Sequence, residues 1–326
     1  MAKILRNIDQ IIDTQGNDLT APVLSFRNKF INGNFDIWQR GTSQNSIGFE
    51  SADRWSMYHN VADLTLSREE FDIDQTNVPG HPKYYLRGTV VGSSDDASGQ
   101  AAFTQKIEDV QTFSNQTVTL SFWAKADSNK NISTEFRQNF GTGDGVSSAI
   151  NEIGISTYNL TTSWQKFTTT VSIPSVAGKT IGLSSCFQMN VFLDAGSNMN
   201  SRTNSLGSQS GVFDFSQFQI EEGTVTTPFE HRLLSLEQSL CERYWRWGKF
   251  KFGGRATTGS GNRDNIFFST TMRVHPTVAL FNEIKNGIGT TFPEQGSPNH
   301  VTVYWLGSTD SDTTTYYGEY SADAEL

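Results

Sequence analysis

From about Phe30 to Phe229 the dominant period of apolar side chains is two, that of a half-buried β-strand. In VTLSFWAKA (118–126), Val118, Leu120, Phe122 and Ala124 fall on one face, with Thr119, Ser121, Trp123 and Lys125 on the other. WQKFTTTVSIP (164–174) repeats the pattern through Phe167, Thr169, Val171 and Ile173. GVFDFSQFQIEE (211–222) follows it imperfectly, through Val212, Asp214, Ser216, Phe218 and Ile220. Turn-forming clusters separate these runs: GSSDDASG (92–99), GTGDG (141–145) and NSLGSQSG (204–211). Short strands at this spacing, without helical crossovers, predict an all-β fold whose main body is an antiparallel jelly-roll sandwich.

Two stretches depart from the period of two. Ile4, Leu5, Ile8, Ile11 and Ile12 recur at helical spacing before Gly16 and Ala21-Pro22, and so short a helix needs a docking surface or copies of itself. The second stretch is SLEQSLCERYWRW (235–247). SLEQ reads as a capping box, in which Ser235 accepts from the Gln238 amide and Gln238 reaches back to the Ser235 amide. Pro228 offers an earlier start, but Thr224 to Arg232 reads as a strand leaving the sandwich. The predicted linking helix therefore begins at Ser235 and ends between Tyr244 and Trp247, before Gly248 and the Gly253-Gly254 pair. The strand pattern resumes in NIFFSTTMRV, TVALF and VTVYWLG. These predict a small C-terminal β domain, which leans on the sandwich or on neighbouring copies.

The totals fit this picture. A chain of 326 residues is long enough for two domains. Hydrophobic content is 36%, yet aromatics reach 12%, so large rings carry much of the burial. The net charge of −9 and the lack of any basic stripe argue against a nucleic-acid partner. Arg6, Asn7, Asp9 and Gln10 interrupt the N-terminal apolar residues, and no stretch approaches the ~18 apolar residues of a bilayer span. The expectation is a soluble chain without signal peptide or membrane insertion. Cys186 and Cys241 match no metal-ligand spacing and read as free, partly buried thiols of a protein assembled in a reducing cytoplasm.

Catalytic signatures fail one by one. His59, His81, His231, His275 and His300 are scattered, none three or four residues from another, which argues against zinc. GSQSG (207–211) places Gln209 where a nucleophile elbow needs serine. GTGDG lacks the third glycine of a dinucleotide fingerprint and opens no helix. FDIDQTNVPGHPK carries Asp72 and Asp74 but has Lys83 where an EF-hand needs glutamate. No cofactor is expected, with calcium held by separate loops the one structural ion left open. Glu221 and Glu222 are adjacent on a strand, point to opposite faces and read as solvated. Aromatics remain. Trp123 is either a sugar-stacking platform on a solvent face or core. Tyr304, Trp305, Tyr316, Tyr317 and Tyr320 sit in a Thr/Ser/Asp-rich domain, and read either as a recognition surface or as core and intersubunit packing.

Several stretches taken in order resemble one family. NKFINGNFDIWQRGTS (28–43), SADRW (51–55), VTLSFWAKA, SWQKFTTTVSIP, FQIEEGTVTTPFEHR (218–232) and LCERYW (240–245) look like bacteriophage and prophage tail fibre, or receptor-binding, proteins. MRVHPTVALF (272–281) and YSADAEL (320–326) are similar to their C-terminal tip module. The resemblance implies a sandwich akin to carbohydrate-binding modules over 28–232, a linking helix over 233–248 and a β tip over 249–326, in a homotrimer on the virion. Residues 1–27 fall outside it and would be the arm that attaches to other tail proteins.

The expectation is then a non-enzymatic virion appendage that adsorbs to a host surface receptor, a glycan or a protein, after assembly in the host cytoplasm. A structural adaptor or decoration protein is the alternative. A polysaccharide-degrading tailspike is disfavoured, since no repeat with a β-helix period is visible. Candidate receptor residues are Tyr304, Trp305, Tyr316, Tyr317 and Trp123. The linker and trimer seam would use Leu236, Leu240, Tyr244, Trp245 and Trp247, with Leu233, Leu236, Leu240 and Trp247 at a/d-like intervals. Tyr244 to Trp247 would wedge the two domains together.

Overall fold

The computed structural model describes residues 26–94, 96–294 and 296–326, so the expected N-terminal helix and all but the last two residues of the expected attachment arm (1–27) lie outside the described residues. Two units form. The first comprises the described residues through Phe35, Ser43–Gly48 and Ser56–His231; the second comprises Asp36–Thr42, Phe49–Trp55 and Arg232–Leu326.

The first unit is an antiparallel jelly-roll sandwich. Its strands are β1 (Ser43–Gln44), β2 (Trp55–Asn60), β3 (Asp63–Glu70), β4 (Tyr84–Val91), β5 (Gln100–Glu108), β6 (Thr117–Ala126), β7 (Lys130–Asn139), β8 (Ile150–Leu160), β9 (Gln165–Ser172), β10 (Cys186–Ala195) and β11 (Gly211–Glu222). One sheet runs β1-β3-β4-β11-β6-β9 and the other β2-β5-β10-β7-β8. A single helical turn, α1 (Asn200–Thr203), precedes β11. The alternation read from the sequence sorts the side chains by face: Val118, Leu120, Phe122 and Ala124 all lie in the core.

The irregular period of β11 has a structural cause. Its register against β6 slips between Ser216 and Gln219, a β-bulge, with Gln217 at φ 54°. The bulge returns Phe218 and Ile220 to the core after Phe213 and Phe215. Phe218 becomes an aromatic hub, stacked on Phe122 at 4.9 Å and edge-on to Phe103 at 5.9 Å. The disrupted backbone is satisfied by the segment NKFINGN. Phe218 N donates to Gly33 O at 2.8 Å, and Asn28 Nδ2 donates to Phe218 O at 2.9 Å. Only glycine fits at position 33, because an added Cβ would stand 2.2 Å from Phe218 O.

The second unit contains α2 (Leu234–Glu242), β12 (Trp245–Ala256), β13 (Gly261–Phe267), β14 (Thr277–Asn286), β15 (Ile288–Pro293), β16 (His300–Gly307) and β17 (Ser311–Asp323). Two three-stranded sheets, β12-β17-β14 and β13-β16-β15, enclose a core of Phe250, Met272, Val303, Trp305, Tyr316 and Tyr320.

Around α2 the structure corrects the sequence reading. The helix starts at Leu234 with Leu233 as its N-cap and no capping side chain, so the Ser235 box does not form. Gln238 instead donates to Glu242 Oε1 at 3.0 Å. Thr224 to Arg232 is not a strand, and the helix ends at Glu242. Aromatic residues suit a pleated surface; Trp245 and Trp247 pair with Asp323 and Ser321 at the start of β12. Trp247 therefore lies on a strand and outside the helix that carries Leu236 and Leu240.

Candidate functional site

Strand registers assemble a polar and aromatic row on the outward face of the six-stranded sheet. Ser67 stands opposite Arg87, Arg87 opposite Asp214, and Asp214 opposite Lys125. Trp123 pairs with Lys166 and Ala124 with Gln165, which brings Lys125 alongside Trp164 at the end of the row. Arg87 grips buried Asp214 through Nε at 2.7 Å and a second nitrogen at 3.0 Å, a charge-assisted fork. Lys125 Nζ approaches the same carboxylate at 3.4 Å and lies 5.6 Å from the Trp164 ring centroid.

Beside the row, Phe71, Tyr85 and Trp164 form a triangle with centroid separations of 4.8, 5.2 and 5.4 Å. All three rings are half-buried, so each keeps a face or edge in water. They line a depression of about 270 Å3, together with Lys125, Asp72 and Gln75. Burial and the neighbouring Asp214 charge push the Tyr85 phenol up to about 12, against the Arg87 guanidinium. Tyr85 therefore stays a neutral hydroxyl over the ordinary pH range.

The other half of this face is closed. Residues 223–231 fold back over it, and Glu221 accepts from Thr227 N at 2.9 Å and Thr227 Oγ1 at 2.7 Å. Gln219 Oε1 accepts from Glu230 N at 2.8 Å, and Thr119 Oγ1 donates to Gly223 O at 2.8 Å. Glu221 is consequently buried, contrary to its solvated sequence reading, while Glu222 stays exposed. The depression is open because the return segment stops short of it.

The residues singled out from sequence separate in space. Trp123 lies half-buried on the outward face, two register positions from the Asp214–Lys125 pair. Trp305 and Tyr316 are core, 4% and 0% exposed, which removes them as receptor contacts. Trp305 Nε1 donates to Asp264 at 2.8 Å, and the Tyr316 hydroxyl donates to Glu283. Their neighbours point the other way, as period two requires. Tyr304 stacks on Phe292 at 4.8 Å, and Tyr317 is exposed. Tyr244 is buried, Leu236 and Leu240 are half-buried, and Trp245 sits under the Arg40 guanidinium at 4.9 Å within the second unit. Phe71, Tyr85, Arg87, Trp164 and Asp214 were not singled out. The alternation of β4 does set Tyr85 and Arg87 opposite Leu86 and Gly88, but their partners, Trp164 just before β9 and Asp214 on β11, depend on register.

Among the described residues there is no group of three or more His, Cys, Asp or Glu side chains that could hold a metal ion. Cys186 and Cys241 are free and buried. No helix among the described residues is long and apolar enough to cross a membrane.

No family model matches the chain, and no curated protein matches it. Solved structures resemble part of it. The enzymatically active domain of tailspike protein 4 of bacteriophage CBA120 is 14% identical, with a TM-score of 0.37 over 60% of this chain, and only 22% of that protein is covered. A CBM4 module is 20% identical, with a TM-score of 0.35 over 59% of this chain and 98% of its own. A family 11 carbohydrate-binding module from Clostridium thermocellum, in complex with a β-1,3-1,4-mixed-linked tetrasaccharide, is 12% identical, with a TM-score of 0.34 over 57% of this chain and 98% of its own.

Proposed function

We propose that this chain is a phage tail fibre, or comparable virion appendage, that adsorbs to a host surface glycan through the open half of the six-stranded sheet. The observation that carries the glycan reading is the Phe71–Tyr85–Trp164 triangle beside Lys125 and the Arg87–Asp214 fork. A sugar presents an apolar C–H face and a ring of hydroxyls. Trp164 supplies a surface for the first, and the Tyr85 hydroxyl and Lys125 ammonium supply partners for the second. The virion reading draws on the sequence resemblance, which spans residues 28–326.

In this proposal the protein binds without catalysing. It assembles as a homotrimer, for which Leu233 and Leu234, 77% and 63% exposed at the start of α2, offer apolar surface. A structural adaptor or decoration role draws on the same charged row, since Arg87, Lys125 and Asp214 already satisfy one another. Glycan arrays and competition for phage adsorption, both with the purified full chain, separate the two. Glycan binding together with blocked adsorption supports the fibre; neither signal leaves the structural role.

A further inference from the structure

The outward face of the β12-β17-β14 sheet carries another depression, of about 530 Å3, lined by Lys249, Lys251, Asn282, Ile284, Tyr317 and Glu319. Its shape begins with β14, an edge strand whose register slips between Phe281 and Ile284. Asn282 sits in that bulge with φ 49°. Bulges on edge strands re-aim side chains and end pairing; here Asn282 Nδ2 donates to Glu319 Oε2 at 2.8 Å. Lys249 Nζ lies 3.5 Å from the other Glu319 oxygen. The acidic side chain of the depression is thus met on both oxygens.

Lys251 is different. It is exposed, and among the described residues it has no hydrogen-bond or ion partner. It stands in register with Tyr317, which pairs on its other side with Ile284. Tyr317 is 41% and Ile284 54% exposed. An unpaired ammonium therefore borders an aromatic ring and an aliphatic chain that both remain in water. A bare anion would leave that apolar floor uncovered, and a neutral sugar would leave the cation unused.

We propose that this depression binds an acidic saccharide, a sugar ring bearing a carboxylate, at a site separate from the groove on the sandwich. The sugar's C–H face covers Tyr317 and Ile284, its carboxylate meets Lys251, and the Asn282 carbonyl accepts from a ring hydroxyl. The chain as a whole carries a net charge of −9 and repels acidic polymers, so the local cation decides recognition.

The test titrates the full chain with tetragalacturonate and with neutral β-1,4-galactotetraose, read by calorimetry and ligand-observed NMR. Tetragalacturonate should bind more tightly, with affinity falling as salt is raised. Lys251→Glu should weaken it about tenfold or more, and Tyr317→Ala should weaken it as well. Lys251→Gln, a milder exposed substitution, should lower affinity in the same direction. Equal binding of the two oligosaccharides, no binding of tetragalacturonate, or wild-type affinity in Lys251→Glu would each overturn the proposal.

Discussion

Arg40 and Glu325 stand 285 positions apart in the chain and meet as an ion pair at 2.6 Å. The same carboxylate also pairs with Arg54, whose guanidinium lies 3.4 Å from the Tyr244 ring centroid. Arg273 holds the backbone on either side, donating to Ala324 O and Glu325 O at 2.8 Å each. The WQRG and SADRW segments thus serve the second unit by fixing the end of the chain. Side-chain exposures are 6% for Arg40, 1% for Arg54 and 7% for Glu325, so these charges cannot rely on water.

Glu325→Gln keeps the shape and removes the charge that two buried guanidiniums share. Breaking one partner out of a buried ion network costs about 3 kcal/mol. Denaturant unfolding of the variant should show that loss. A change within about 0.5 kcal/mol, the scatter of a surface substitution, would count against the clamp.

Glu283 sets an acid dependence in the same unit. Burial raises its carboxyl, but donors from Thr291, Tyr316 and Lys285 outweigh this and leave it below its ordinary value of 4.5. A depressed folded value means stability that is present above about pH 4.5 and lost as pH falls through the folded value. Asp53 and Asp323 act in the opposite sense: burial raises both, so the folded chain takes up their protons first and gains stability as pH falls toward 3.8. Melting temperature followed from pH 6 downward should therefore fall less steeply in Glu283→Gln than in the natural chain. Parallel curves would contradict the assignment.

Gly33→Ala tests the bulge. The new Cβ would meet the Phe218 carbonyl at 2.2 Å, and relief requires moving backbone that carries the Phe218 hub. A loss of about 1–3 kcal/mol is expected, again by denaturant unfolding, with none expected for Gly254→Ala, where an added Cβ meets nothing within 4 Å.

These positions explain how far the sequence could be read. The sandwich was legible because one face of each strand is buried, so Leu120 and Phe122 announce their side by alternation alone. Adjacent aromatics were harder to place. Trp305 and Tyr316 went inward while Tyr304 and Tyr317 went outward, and composition says nothing of that choice. The Lys125–Trp164 neighbourhood depends on cross-strand register, which a single sequence does not print. Glu221 looked solvated because its partner Thr227 lies on a return segment that reads as strand. The failed capping box has a similar origin: SLEQ satisfies the local rule, yet the helix begins one residue earlier, at Leu234.

Tyr85 offers a spectroscopic reading of the groove. Its phenol is raised to about 12 by burial and then by Asp214. The difference in alkaline absorbance between the natural chain and Tyr85→Phe should show one phenolate appearing near pH 12. Asp214→Asn should move that step toward the ordinary value of 10. A step already at 10 in the natural chain would mean that neither burial nor Asp214 raises Tyr85.

The most direct test of the central claim is the affinity of the purified full chain for a host-surface glycan identified by array, compared with that of Trp164→Ala. The account predicts a loss of about tenfold or more with unchanged thermal unfolding, and a matching loss of competition for phage adsorption. Undiminished glycan affinity in Trp164→Ala would contradict it.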